Sequence, residues 1–339
     1  MRAVVYDTPR SFSVREIPTP DPGPGEVRIK VLACGVCGTD LHLHNGEFLA
    51  NFPMTPGHET VGLIDAIGDG VSEFNIGEQV VVNPNSACGE CSFCIEGRPL
   101  LCTHFEGIGS TKPGGFAEYL IAPVSQVFTA EGLDPEVAVF TEPTACACHG
   151  LDTIAPHDSP TALVLGAGPS GVLVAQLLHT VGGAAVTIAA PTQFKLDTAR
   201  SLGVDATFTM TRGELDSDVQ RLLDLSGGEG FDIVVEATGN QAVAQATLKL
   251  VRSGGEYIVY GVVPEDARIE VSPFELFRRE LTIKGTFAEI DSFEDALRAL
   301  RHAKARTTGM ITHRFSLDQY GEALAALGDP NAHKIIIVP

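Results

Sequence analysis

The chain carries no surplus of basic charge. Its 23 lysines and arginines stand against 43 aspartates and glutamates, for a formal net charge of −20 and an isoelectric point near 4.8. Nucleic acids and anionic membrane surfaces select basic patches, so neither is an expected partner. No apolar run approaches the ~20 residues that a membrane-spanning helix needs. The strand-like residues 1–6 run straight into Pro- and Asp-rich sequence, so no secretory leader is read there. Internal repeats and low-complexity tracts are absent too, which excludes a solenoid array.

What is there suits an ordinary globular protein, with 44% hydrophobic and 19% charged residues. A chain of 339 residues is long enough for two domains, each with its own core. The eight cysteines are unevenly placed. Cys88, Cys91, Cys94 and Cys102 read C-x2-C-x2-C-x7-C. Thiolates are ligands that a tetrahedral Zn²⁺ prefers, and four of them close its shell against water and substrate. The cluster therefore predicts a structural zinc. Two disulfides are the alternative use, but the missing leader and the tight spacing speak against them. The spacings fit neither common ferredoxin run, which argues against an iron–sulfur cluster. Free thiols and zinc together suit a reduced, cytoplasmic setting. Cys34, Cys146 and Cys148 read as core thiols, the last two on a helix just after Glu142-Pro143.

Patterning changes along the chain. The first third is punctuated by Pro and Gly, as in the TPDPGPG of residues 19–25, between short β-branched segments at 27–32, 61–64 and 80–82. This is the pattern of a β-rich, barrel-like unit. From residue 161 strands and helices alternate: strands at 161–165, 185–189, 231–236 and 255–260, helices at 171–180, 194–202 and 241–251. Such alternation implies a doubly wound parallel sheet. Helices follow at 293–302 and 317–327, then a strand at 334–338 that returns to the first unit. The predicted division is 1–152 with 291–339, including a cysteine lobe at 86–104, and 153–290 for the parallel sheet.

Gly166-Ala167-Gly168-Pro169-Ser170-Gly171 is a G-x-G-x-x-G that directly follows a strand and opens a helix. In that setting it is a dinucleotide fingerprint. Gly166 allows the tight turn, Gly168 lets backbone approach the pyrophosphate, and Gly171 lets helix and strand pack closely. The helix N-terminus faces the phosphates. An acid normally ends the second strand and binds the ribose 2′-hydroxyl. Here that stretch reads Ile188-Ala189-Ala190-Pro191-Thr192-Gln193-Phe194-Lys195, so no carboxylate repels a 2′-phosphate. Thr192 and Lys195 are in place to contact one, although a solvated helix lysine is the plain alternative for Lys195. No arginine stands in the segment, so the planar clamp is missing. The expected cofactor is NADP, with NAD still possible.

Two further pieces lie in the first unit: Gly35-Val36-Cys37-Gly38-Thr39-Asp40-Leu41-His42 and Pro56-Gly57-His58-Glu59. A Cys, a His and a carboxylate are the ligand set of an open zinc site. From spacing alone Cys37 with His58 is a weak pair, since a lone Cys is more often core and a lone His more often simply hydrogen-bonded.

In this order and at these intervals, GVCGTDLH, GHE, the four-cysteine lobe and GAGPSG resemble the zinc-dependent medium-chain alcohol dehydrogenases. The resemblance covers nearly the whole chain. Glu142-Pro143, standing where the horse-liver type has a third cysteine, is similar to the polyol and sugar branch that includes sorbitol dehydrogenase. The family implies a GroES-like catalytic domain plus a Rossmann domain, and hydride transfer between a hydroxyl carbon and a nicotinamide, giving a ketone or ketose. It implies Cys37, His58 and Glu142 as catalytic zinc ligands, with Glu59 also able to enter the shell, hence two zincs per chain. It implies Asp40 behind the ligand histidine, and Thr39 and His42 as the route for the alcohol proton. It further implies a homo-oligomer, a tetramer rather than a dimer. Two departures stand out. The second-strand acid is absent, and the pocket residues of sorbitol dehydrogenases do not map near Phe48, Phe105 and Phe287. A simple secondary alcohol or an aldose is the alternative substrate. A zinc-free quinone or enoyl reductase and an inactive nucleotide- and zinc-binding redox sensor are the rival readings.

Overall fold

A computed structural model describes residues 1–47, 50–155 and 158–339. The chain divides into two compact units. The first comprises Met1–Ala145, Ala288–Arg301 and Thr307–Pro339; the second comprises Cys146–Phe287 and His302–Arg306.

The first unit is built on a seven-stranded sheet. Its path runs Ile311–Phe315, Lys334–Ile337, Glu26–Val36, Glu59–Ile67, Gln79–Val82 and Val127–Thr129, with Tyr119–Pro123 also paired to Glu26–Val36. The Glu26–Val36 strand shows why it lies at the centre. Val27, Ile29 and Val31 alternate inward while Lys30 faces out, as a strand with one buried face requires. From Ala33 to Val36 every residue is buried, because here the chain is covered on both sides. Strand Lys334–Ile337 pairs antiparallel beside this buried end, with Ile335 opposite Val36 and Ile336 opposite Gly35. The core gathers Val4, Tyr6, Ile29, Phe116, Leu120, Tyr320 and Ile337. Each large apolar side chain buried there contributes about 1.5–3 kcal/mol.

The second unit is a six-stranded sheet in the order Ala206–Thr209, Ala185–Ala190, Thr161–Leu165, Phe231–Glu236, Val251–Val259 and Thr282–Gly285. Every neighbouring pair is parallel. The order reverses between Thr161–Leu165 and Phe231–Glu236, the switch point at which such sheets bind ligands outside their carboxyl ends. Ala162 to Leu165 are fully buried, as expected of a central parallel strand covered on both faces. The α/β architecture of a β-rich unit and a doubly wound unit is the one the patterning implies.

Candidate active site

The cysteine lobe can be tested against zinc by its own geometry. Tetrahedral ligands at ~2.3 Å place sulfurs about 3.8 Å apart. Here Sγ of Cys91 lies 3.5 Å from that of Cys94 and 3.9 Å from that of Cys102, and Cys88 lies 3.5 Å from Cys102 and 4.0 Å from Cys94. A disulfide needs ~2.05 Å, and all eight cysteines are free. Backbone N–H groups point at the sulfurs: Cys88 N and His104 N at Cys102, and Cys91 N at Cys88. Amide donors at Cys94 and Thr103 draw the Cys91 thiol down to about 6, and those at Glu90 and Cys91 lower Cys88. Burial and the neighbouring Cys91 push Cys94 up to about 12, so the proton lost at Cys91 is kept by its neighbour. A divalent cation at the centre would let all four ionise.

The second cluster forms where the buried end of strand Glu26–Val36 meets the start of strand Glu59–Ile67, Gly35 lying opposite Glu59. Cys37 caps the helix Gly38–Asn45. Its Sγ is 3.1 Å from His58 Nε2, and Cys37, His58 and Glu59 offer ligand atoms all within 4.8 Å of one another. Asp40 is fully buried in the first turn of that helix. One carboxylate oxygen accepts from Cys37 N–H at 2.9 Å; the other is 3.7 Å from His58 Nδ1 and lacks a hydrogen-bond partner. Burial raises Asp40 to about 6 against the pull of His58. Burial lowers the basicity of His58, but Cys37 and Asp40 outweigh it and the net direction is up. A thiol, an imidazole and a carboxylate with an orphaned buried oxygen behind them form a donor set that suits a zinc ion. Glu142, at the start of helix Thr141–Asp152, stands outside this mutual group, although its charge raises both His58 and Lys334. Thr39 follows in the first turn, and His42 Nδ1 meets Glu47 Oε2 at 2.7 Å.

Lys334 belongs to this site and sequence reading missed it. Its ammonium pairs with Glu59, both side chains being 2% exposed. Burial opposes its charge, yet Glu59, Cys37 and Glu142 carry its pKa upward. The pair fits because position 35 is glycine: a Cβ there would collide with Glu59 Oε2 and Lys334 Cε. The only sequence signal is a lysine beginning an apolar strand, which ordinarily reads as solvent-facing.

In the second unit the loop Gly166–Gly168 joins strand Thr161–Leu165 to helix Pro169–Thr180. Gly166 takes φ +104°, and its N–H bonds to Ala189 O at 2.8 Å. A Cβ on Gly171 would collide with Gly166 O, whereas one on Gly168 would project into open space. Gly168 caps the helix and Pro169 and Ser170 open it, so backbone donors face a cradle suited to a pyrophosphate. Ala190 ends its strand, 3% exposed. Thr192 caps helix Gln193–Ser201 without spending its hydroxyl on the cap, and Lys195 lies in the first turn. Phe105 is half-buried and Phe287 is 38% exposed; Phe48 lies outside the described residues. Cys34 is buried, and Cys146 and Cys148 are half-buried on helix Thr141–Asp152.

The sequence profile of the alcohol dehydrogenase GroES-like domain matches residues 23–132, and that of the zinc-binding dehydrogenases matches residues 169–302. D-arabinitol dehydrogenase 1 of Uromyces fabae is 40% identical over 340 residues, covering 100% of this chain and 97% of its own. Sorbitol dehydrogenase of Halalkalibacterium halodurans is 32% identical over 97% of this chain and 96% of its own. A zinc-binding dehydrogenase of Sinorhizobium meliloti 1021, solved bound to NADP, superposes with a TM-score of 0.94 at 32% identity, over 100% of this chain and 99% of that one. The chain belongs to the zinc-binding alcohol dehydrogenase family, and is an oxidoreductase. Among the described residues no helix is long and apolar enough to cross a membrane.

Proposed function

We propose that this protein is an NADP-preferring zinc polyol dehydrogenase, converting a secondary hydroxyl of a polyol or sugar alcohol to a ketone or ketose. The cluster of Cys37, His58 and Glu59 backed by buried Asp40 carries the reading. The names of the arabinitol and sorbitol relatives support the substrate class, and the NADP-bound relative supports the cofactor. The catalytic domain is 1–152 with 291–339, and the cofactor domain 153–290. Each chain holds two zincs, one closed by Cys88, Cys91, Cys94 and Cys102, one open. A reduced cytoplasmic setting suits its free thiols.

Zinc, when bound, supplies Lewis acidity, and the nicotinamide supplies the hydride acceptor. The residues do the rest. Cys37 and His58 hold the metal, with Glu59 and Glu142 as its carboxylates. Asp40 fixes the His58 ring. Thr39 and His42 receive the alcohol proton. Gly166, Gly168 and Gly171 with Pro169 and Ser170 seat the pyrophosphate. Ala190 leaves room for a 2′-phosphate, which Thr192 and Lys195 hold by a hydroxyl bond and a point charge.

Elemental analysis of the purified protein and a screen of polyols with both cofactors test this. Two zincs per chain and a higher kcat/KM with NADP are expected, the preference being about tenfold, or ~1.4 kcal/mol. Ala190→Asp should turn the preference towards NAD. A higher kcat/KM with NAD in the wild type overturns the cofactor assignment, and one zinc or none overturns the metal assignment.

A further inference from the structure

We propose that Glu47 is a positioning residue for His42: its carboxylate fixes which ring nitrogen of His42 receives the alcohol proton and keeps that proton's exit open to water. This rests on the dehydrogenase reading above and adds a residue to it.

The turn that follows helix Gly38–Asn45 builds the pair. Gly46 adopts φ +82°, ψ 23°. Its N–H bonds to Leu43 O at 3.0 Å, and that of Glu47 to His42 O at 2.9 Å. These two bonds are the paired closure of a helix ended by a left-handed glycine. They fold Glu47 back over the last turn, onto the residue whose carbonyl it already holds. A side chain at position 46 would strain the backbone and press its Cβ within 2.6 Å of the Pro9 ring, so the turn has one residue that suits it.

The contact that results, 2.7 Å from His42 Nδ1 to Glu47 Oε2, has the length of a charge-assisted bond. The side chains are 22% and 45% exposed. Pairs this exposed contribute little to folding, so the fold does not depend on this one. Its effect lies in the ring. A carboxylate only accepts, so Nδ1 carries the hydrogen and Nε2 is left with its lone pair. Thr39 lies three residues earlier, on the same face of the helix. The other charged and titratable groups nearby are engaged elsewhere. His44 holds Tyr6 Oη at 2.8 Å, Arg10 reaches Asn45 Oδ1 at 3.0 Å, and Asp40 faces Cys37 and His58.

As the alcohol is oxidised, two electrons leave its carbon with the hydride, for which the oxidised nicotinamide would be the acceptor. The hydroxyl proton passes by Thr39 to Nε2, where an N–H bond forms. Glu47 balances the imidazolium until that proton passes to water.

In the zinc-loaded enzyme, Glu47→Gln should slow alcohol oxidation, because the His42 ring then presents the wrong nitrogen part of the time. The kcat should fall by roughly three- to tenfold. Glu47→Gln added to His42→Gln should change nothing further. The ¹⁵N ring shifts of His42, assigned by the His42→Gln spectrum, read the tautomer without turnover. They should show Nε2 unprotonated in the wild type and a mixture in Glu47→Gln. Identical ring shifts in both proteins overturn the proposal, whether or not kcat falls. Ring shifts that differ between the two proteins, in a wild type that oxidises no alcohol with either cofactor, would instead overturn the dehydrogenase reading and leave the pairing standing.

Discussion

Glu59 and Lys334 are costly to separate. A buried pair adds little over an apolar isostere, but removing one partner strands the other's charge at a cost of about 3–5 kcal/mol. Lys334→Met should therefore destabilise the protein by that order, and adding Glu59→Gln should recover much of the loss. Strictly additive losses in denaturant titrations would refute the coupling. Glu289 works the other way. It is fully buried, with Asn83 and Asn85 amides against it at 3.5 and 3.4 Å. Burial, and then the charge of Glu142, push its carboxyl from 4.5 up to about 9. Below pH 4.5 both folded and unfolded chains keep the proton. Above it the unfolded chain ionises first, so this group's contribution to stability is lost as pH rises towards 9, at ~1.4 kcal/mol per unit. Glu289→Gln should raise the melting temperature more at pH 8 than at pH 5. An equal effect at both would count against it. Neither residue was legible in the sequence. Lys334 is buried by the register of a strand paired some 300 residues away in sequence, and Glu289 by a turn that brings it to Asn83 and Asn85.

Elements were readable wherever a core imposed its period. Strand Thr161–Leu165 is apolar from Ala162 on, strand Phe231–Glu236 is marked by Ile233-Val234-Val235, and the glycine loop between strand and helix has its own spelling. Strand Ala206–Thr209 was not read, because its four residues are half-exposed at the sheet edge. Helix Pro273–Arg279 was missed for a like reason: it buries none of its residues, so no periodic stripe marks it. The cysteine lobe was legible because one short segment supplies all four sulfurs. The pairing of Cys37 with His58 was weak on spacing alone and came only from the family resemblance, because sheet register brings them together. The Glu47 contact was hidden in the left-handed turn at Gly46. The loop itself makes a sharp prediction. Gly171→Ala should lower both cofactor affinity and thermal stability, since the new Cβ meets Gly166 O. Gly168→Ala should spare stability and weaken only the dinucleotide. Calorimetric titration with melting curves separates the two, and unchanged affinity in Gly168→Ala would refute the cradle.

For the whole molecule, the six-stranded sheet ends at Thr282–Gly285 with a single neighbouring strand. On the preceding helix Phe274 and Phe277 are 64% and 82% exposed. Uncovered strand edges and large exposed aromatics mark association surfaces. We expect a homo-oligomer, a tetramer before a dimer, with Phe277→Lys shifting it towards smaller species. Light scattering that gives the 35.8 kDa of one chain at micromolar concentration would refute both.

The place of strand Lys334–Ile337 also sets a timetable for synthesis. The second unit has its last strand once residue 285 has been made, and nascent chains fold what they have. The first unit cannot follow that schedule. Its central sheet stays split between Glu26–Val36 and Ile311–Phe315 until residues 334–337 emerge to join them. Cys37 and His58 are made well before residue 334, so Glu59 beside them waits for its counter-charge while the whole second unit is translated. The unit that is begun first is thus the later to mature.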